Sequence, residues 1–215
     1  MADSIAGIRK DYSQKALTED GVNRDPMQQF DQWWREAISA AIVEPNAMTL
    51  ATASVDGLPS ARIVLLKGYS KDGFVFYTNY NSFKGKQLEE NPKACLVFFW
   101  KELERQVRIT GFVKKVSEQA SDEYFFSRPI DSQIGAHISP QSQAIESREW
   151  LEEQFNIAKK KSALGESPGR PAHWGGYLVI PVIIEFWQGR PGRLHDRLEY
   201  SLSDTGEWGV ERLAP

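Results

Sequence analysis

The sequence predicts a β-rich α+β fold, a small antiparallel barrel decorated by helices. Three observations lead there. Eight short stretches carry strand character and are punctuated by turn signals, whereas only three carry helical spacing. The 215 residues are 41% hydrophobic and 26% charged, the make-up of a globular chain rather than a disordered or collagen-like one. A chain of that length buries roughly 70% of its unfolded surface, so a hydrophobic core forms without staples. We expect a flexible N-terminal arm over 1–24, polar and with little periodicity, and a single domain over 25–215.

Asp25-Pro26 opens the first helix, with Asp as N-cap and Pro at the first helical position. Phe30, Trp34, Ala37, Ile38 and Ala41 follow at helical spacing, to about Val43. From Met48 the pattern turns to strands, Met48–Val55, Ser60–Tyr69 and Phe74–Asn79, separated by the turn signals Asp56-Gly57 and Asp72-Gly73. After a polar, Lys-rich stretch and Asn91-Pro92, Ala94–Trp100 reads as a buried strand. Arg105–Val116 alternates, with Gln106, Arg108 and Thr110 on one face and Val107 and Ile109 on the other. Ser117 caps a helix over Glu118–Arg128 that Pro129 ends. The third helix spans Ser147–Ser162, with Leu151, Phe155 and Ala158 as its apolar stripe and Lys159, Lys160 and Lys161 as a solvated last turn. The tail returns to strand over Gly176–Gln188, Leu194–Leu202 and Glu207–Leu213, and Pro181 implies an edge or a bulge.

Several chemistries are excluded. With a net charge of -3 the chain has no global attraction for nucleic acid or anionic lipid. Its longest apolar runs, Ala94–Trp100 and Leu178–Ile184, fall short of the ~20 residues of a membrane span. The N-terminus MADSIAGIRK lacks a secretory apolar stretch, and the lone Cys95 forms no intrachain disulfide, so we expect a cytoplasmic protein. Cys95, inside a strand pattern, reads as a small hydrophobe rather than a nucleophile. His137, His173 and His195 are scattered, which predicts no metal site. There is no G-x-S-x-G, Walker A or G-x-G-x-x-G motif, so any bound phosphate must be held by side chains.

Four places offer such side chains. Arg62 and Lys67 close the two ends of R-I-V-L-L-K, although snorkelling surface cations explain them as well. Tyr124 and Arg128 share one helix face, with Ser132 just beyond; they clamp a phosphate or form a surface Tyr–Arg stack. Gln141-Ser142 precede the third helix, where Ser142 suits an anion or a helix cap. Arg193, His195 and Arg197 would fall on one face of an extended chain, and three adjacent cations there call for an anion or an electron-rich ring. The seven Trp residues fill a core or line a planar-ligand pocket.

Taken together, R-I-V-L-L-K at 62–67, F-Y-T-N at 76–79, E-R-Q-V at 104–107, S-R-P-x-D-S-Q-I-G-A at 127–136, E-F-W-Q-G at 185–189, R-L-H-D-R-L at 193–198 and E-R-L-A-P at 211–215 resemble the pyridoxine (pyridoxamine) 5′-phosphate oxidase family. The likeness extends from Ile8 onward. It implies an FMN-binding split barrel, an antiparallel Greek-key-like β-barrel with flanking helices, acting as a homodimer with FMN at the subunit interface. The implied reaction is FMN-dependent oxidation of pyridoxamine 5′-phosphate and pyridoxine 5′-phosphate to pyridoxal 5′-phosphate. Dioxygen is the acceptor, and hydrogen peroxide and, from the amine, ammonia are released.

The resemblance also assigns residues. Cofactor binding falls to Arg62, Ile63, Val64, Leu65, Leu66, Lys67, Tyr77, Thr78, Lys84, Gln106, Gln141, Ser142, Trp187 and Arg197. Substrate binding falls to Arg9, Tyr12, Lys67, Tyr124, Arg128, Ser132, Arg193, Leu194 and His195, with Arg193 and His195 as the catalytic pair against the pyridine ring. One departure stands out: Phe83 occupies the place before Lys84 where the family commonly has a phosphate-binding Arg. The competing readings are another split-barrel flavin reductase, which should lack the substrate set, and a non-catalytic carrier of flavin or a B6 vitamer.

Overall fold

A computed structural model describes residues 11–166 and 169–215. Helix α1, Pro26–Ser39, begins as its sequence dictates, the Asp25 carboxylate accepting the Met27 N–H and Pro26 at the first position. It stops short of Val43 because the backbone turns left-handed at Ala41 and again at Glu44. Strand β1, Ala47–Ala53, buries Met48, Leu50 and Thr52 in alternation. The single strand expected over Ser60–Tyr69 is two, β2 (Pro59–Leu65) and β3 (Gly68–Ser70), because β2 pairs with β1 while β3 pairs with β4, Gly73–Asn79. The chain changes neighbours at Leu66-Lys67.

The Lys-rich stretch is a helix, α2 (Phe83–Glu90), capped by Ser82, whose hydroxyl accepts the Gly85 N–H. Gly85 is required there, since a Cβ would stand 2.1 Å from the Tyr80 carbonyl oxygen. Strands β5 (Lys93–Trp100) and β6 (Arg105–Lys115) follow as expected. Helix α3, Glu118–Ser127, carries the predicted Ser117 cap and leaves Arg128 extended, as the following proline requires. Pro129 then opens a further helix, α4 (Ile130–Ile138), before α5 (Arg148–Ala163).

Strand β7, Trp174–Gln188, pairs with β6 and also serves two further partners in turn. Its first part pairs antiparallel with β4, from Trp174↔Asn79 to Val179↔Phe74, and its last part with β8 (Asp196–Leu202), from Ile183↔Ser201 to Gln188↔Asp196. Pro181 falls in the gap between the two registers, where its missing N–H costs neither ladder a bond. Strand β9, Trp208–Arg212, closes a hairpin with β8. The hydrogen-bonded order is β2-β1-β5-β6-β7-β4-β3, with β8 on β7 and β9 on β8.

The chain packs as two compact units. One takes in the N-terminal part through Leu50, Cys95–Gly111 and Pro181–Pro215. Its core is aromatic: Phe30 against Phe98 at 5.4 Å, Trp33 edge-on to Phe186 at 5.1 Å, and Phe186 edge-on to Tyr200 at 5.6 Å between centroids. What the structure describes of the 1–24 arm is tied to this unit by polar bonds. The Glu104 carboxylate accepts the Ser13 and Gln14 N–H groups, Asp196 accepts that of Leu17, and the Asn23 carbonyl accepts the Tyr200 hydroxyl. The other unit, Ala51–Ala94 and Phe112–Ile180, is built around Phe74, Phe76, Phe125 and Val179, all fully buried. Among the described residues no helix is long and apolar enough to cross a membrane, and no cluster of His, Cys, Asp and Glu suits a metal ion.

Candidate active site

A pocket of about 690 Å³ opens within the second unit. Strand β2 and its exit supply Arg62, Ile63, Val64, Leu65 and Lys67; β4 supplies Tyr77, Thr78 and Asn79; α2 supplies Lys84. Tyr124 and Arg128 come from the end of α3, Ser132 from α4, Gln141 from the loop beyond it, and Trp174 from β7. Four cationic side chains therefore line the pocket, and among the described residues no carboxylate is in its walls.

Two groups of contacts organise it. The Lys84 ammonium donates to Gln141 Oε1 at 2.9 Å and Thr78 Oγ1 at 3.2 Å, and lies 3.4 Å from Ser82 Oγ. Burial and the nearby Arg62 guanidinium lower its pKa to about 8. Two cations brought this close repel one another, a repulsion that an anion between them would relieve. In the second group the Arg128 guanidinium lies 4.5 Å from the Trp174 ring centroid and donates to the Ser132 carbonyl at 2.8 Å, while its buried NH1 finds no protein partner. Tyr124 stacks on Tyr77 at 3.9 Å and Tyr77 on Trp174 at 5.5 Å, so in place of the direct Tyr–Arg stack weighed from the sequence, Arg128 joins the tyrosines through Trp174.

The first unit holds Tyr12, Gln106, Trp187, Arg193, Leu194, His195 and Arg197. His195 packs on Trp187, centroids 4.6 Å apart, and Tyr12 meets both rings edge-on at 5.8 and 5.9 Å. Tyr12 fits because residue 189 is glycine; a Cβ there would come within 2.7 Å of its ring. The His195 Nδ1 accepts the Arg190 N–H at 3.1 Å, which leaves the proton of the neutral ring on Nε2. Burial and Arg193 both lower the His195 pKa, favouring that neutral form. Gln106 is half-buried on β6, and Leu194 is 73% exposed.

Four expectations need correction. Arg193, His195 and Arg197 do not share a strand face, because Pro191–Arg193 forms a 3₁₀ turn with Gly192 and Arg193 at positive φ and β8 begins only at Asp196. The counter-charge for Arg197 is internal: the buried Glu185 carboxylate accepts its Nε at 2.9 Å and its NH2 at 3.2 Å. Ser142 is exposed at φ 69 and does not line the pocket, and Ser147, not Ser142, caps α5. Leu66 is buried and turned from the pocket that its neighbours line. Arg9 lies outside the described residues. Phe83, at the first position of α2, is 54% exposed and is not in the pocket wall. Sequence reasoning missed Trp174, Ser139 and Asn79; of these only Asn79 lay inside a motif already singled out.

Comparison with known proteins defines the class first. A Nostoc punctiforme protein, described as a pyridoxamine 5′-phosphate oxidase-related, FMN binding protein, has a solved structure that matches at TM-score 0.66 and 20% identity. The match covers 85% of this chain and 97% of that one, and it places the fold among FMN-binding split barrels. The family model "Pyridoxamine 5′-phosphate oxidase" matches residues 34–158, and that of the "Pyridoxine 5′-phosphate oxidase C-terminal dimerisation region" matches 174–215. The chain belongs to the pyridoxamine 5′-phosphate oxidase family of enzymes. Relatives called pyridoxine/pyridoxamine 5′-phosphate oxidase are 55% identical in Trichormus variabilis, over the full length of both chains, and 56% identical in an Acidovorax species, over all of this chain and 98% of that one. The solved structure of PhzG from Burkholderia lata, in complex with tetrahydrophenazine-1-carboxylic acid, is 31% identical with TM-score 0.87, covering 94% of this chain and all of that one.

Proposed function

We propose that this enzyme oxidises pyridoxamine 5′-phosphate and pyridoxine 5′-phosphate to pyridoxal 5′-phosphate with bound FMN, using dioxygen as acceptor and releasing hydrogen peroxide, with ammonia from the amine. The observation that carries this reading is a pocket lined by four cationic side chains, Arg62, Lys67, Lys84 and Arg128. Such a site suits phosphate esters. The residues fit FMN: Arg62 and Lys84, with Thr78 and Gln141, offer charge-assisted donors to its phosphate. Bound there, the flavin supplies the two-electron redox chemistry for which the side chains have no equivalent.

The chain's own residues bind and orient. Lys67, Tyr124, Arg128 and Ser132 hold the substrate phosphate. Gln106, Trp187 and Arg197 face the flavin, Arg197 kept rigid by Glu185. Arg193 and His195 lie against the pyridine ring, with Arg9 and Tyr12 closing over it. Neutral His195, its tautomer fixed by the Arg190 N–H, presents a hydrogen-bond donor without adding charge. The enzyme works as a cytoplasmic homodimer with FMN at the subunit interface, in keeping with the dimerisation-region match over 174–215.

The test is a comparison of FMN with riboflavin on apo-protein. Two charge-assisted phosphate contacts contribute roughly 3 kcal/mol or more, so FMN should bind at least about 100-fold tighter. Equal affinities would overturn the phosphate assignment.

A further inference from the structure

We propose that Gln87 is a positioning residue that aims the Arg62 guanidinium through a buried hydroxyl relay. Gln87 is 3% exposed, on the inner side of α2, and does not line the pocket. Its Oε1 accepts two hydroxyls at once, Thr52 Oγ1 at 2.6 Å and Ser60 Oγ at 2.7 Å. Each of those oxygens accepts in turn from Arg62, NH1 at 2.6 Å to Thr52 and NH2 to Ser60. The direction of donation is consistent throughout: guanidinium to hydroxyl, hydroxyl to amide oxygen. A hydroxyl has one proton, and committing both protons to Gln87 turns the lone pairs of Thr52 and Ser60 towards the guanidinium.

Gln87 leaves its own Nε2 buried without a hydrogen-bond partner, a cost that packing alone does not explain. A leucine or methionine would fill the same volume without that orphan. What the amide supplies is a neutral double acceptor. A carboxylate would accept equally well but would set a negative charge behind Arg62 and weaken its pull on an anion; the amide fixes the guanidinium without placing a charge behind it. Arg62 is thereby ordered before any ligand arrives, which removes an entropy cost from binding.

The inference rests on the proposed role of Arg62 at the FMN phosphate, and the experiment separates the two. Apo-protein is titrated with FMN for Gln87→Met, Thr52→Val, Thr52→Ser and Arg62→Ala, and for Gln87→Met combined with Arg62→Ala. We expect Gln87→Met and Thr52→Val to weaken FMN binding about tenfold, and Thr52→Ser, which keeps the hydroxyl, to restore it. In the Arg62→Ala background Gln87→Met should change the affinity less than twofold, although a role in general stability would persist there. If Arg62→Ala weakens binding but Gln87→Met and Thr52→Val do not, the relay is wrong and the pocket reading stands. If Arg62→Ala itself leaves FMN affinity unchanged, the pocket reading fails and the relay with it.

Discussion

At the scale of single residues the pocket is governed by how its buried cations are held on neutral acceptors. Lys84 shows it most directly, since burial and Arg62 pull its pKa from 10.5 to about 8. A phosphate needs the ammonium form, so FMN affinity should fall as pH rises through about 8, and Lys84→Met should abolish that break. The sign for stability is the reverse. Between pH 8 and 10.5 the unfolded chain binds the proton and the empty folded site does not, so this residue's destabilising contribution is relieved as pH rises through that window. A titration of apo-protein with FMN from pH 7 to 10 reads the first effect. Arg193→Ala and His195→Ala should each lower kcat/KM for pyridoxamine 5′-phosphate, by about 2–4 kcal/mol of transition-state stabilisation, with FMN still bound. Steady-state kinetics on flavin-loaded variants check this; unchanged kcat/KM in both would show the turn to be structural. The sequence motifs did bring Arg62, Thr78, Lys84 and Arg128 to attention, and the structure gathers these four in the wall of one pocket. Arg197 was misjudged because its partner, Glu185, is adjacent only across the β7–β8 ladder, a relation that strand spacing alone does not reveal.

At the scale of elements, two helices escaped sequence reading for a common reason. Helix α2 has eight residues and α4 nine, too short to display a repeating apolar stripe, and both start at residues also used in turns, Ser82 and Pro129. The strands were legible because alternation needs only a few residues to show, as in Met48, Leu50 and Thr52. The β2–β3 break was not, because it depends on a change of strand partner rather than on any residue of unusual character. Helix α2 brings Lys84 to the pocket and hides Gln87 behind it, so its start should matter beyond local stability. Ser82 is fully buried, caps the Gly85 N–H and donates to the Asn79 carbonyl at 2.6 Å. Ser82→Ala should destabilise the protein by about 1–2 kcal/mol and weaken FMN binding with it. Thermal unfolding of the apo-protein alongside FMN titration checks both parts; loss of stability without loss of affinity would uncouple the cap from the site.

At the scale of the whole molecule, the antiparallel split barrel was legible from the count of short strands, but how its residues divide between the two compact units was not. The pocket with Arg62, Lys84 and Arg128 belongs to one unit and the Trp187, His195 and Tyr12 cluster to the other, a division set by the chain's path through β5, β6 and β7. The anchoring of the arm at Glu104 and Asp196 was equally hidden, because polar bonds to backbone N–H groups leave no periodic trace. The central claim is that this chain positions a flavin and a B6 phosphate ester for oxidation by dioxygen. Its most direct test adds pyridoxamine 5′-phosphate to FMN-loaded protein in air and follows pyridoxal 5′-phosphate and hydrogen peroxide together. The account predicts continued turnover with one peroxide formed per pyridoxal 5′-phosphate. Protein that holds FMN yet yields neither product would contradict it.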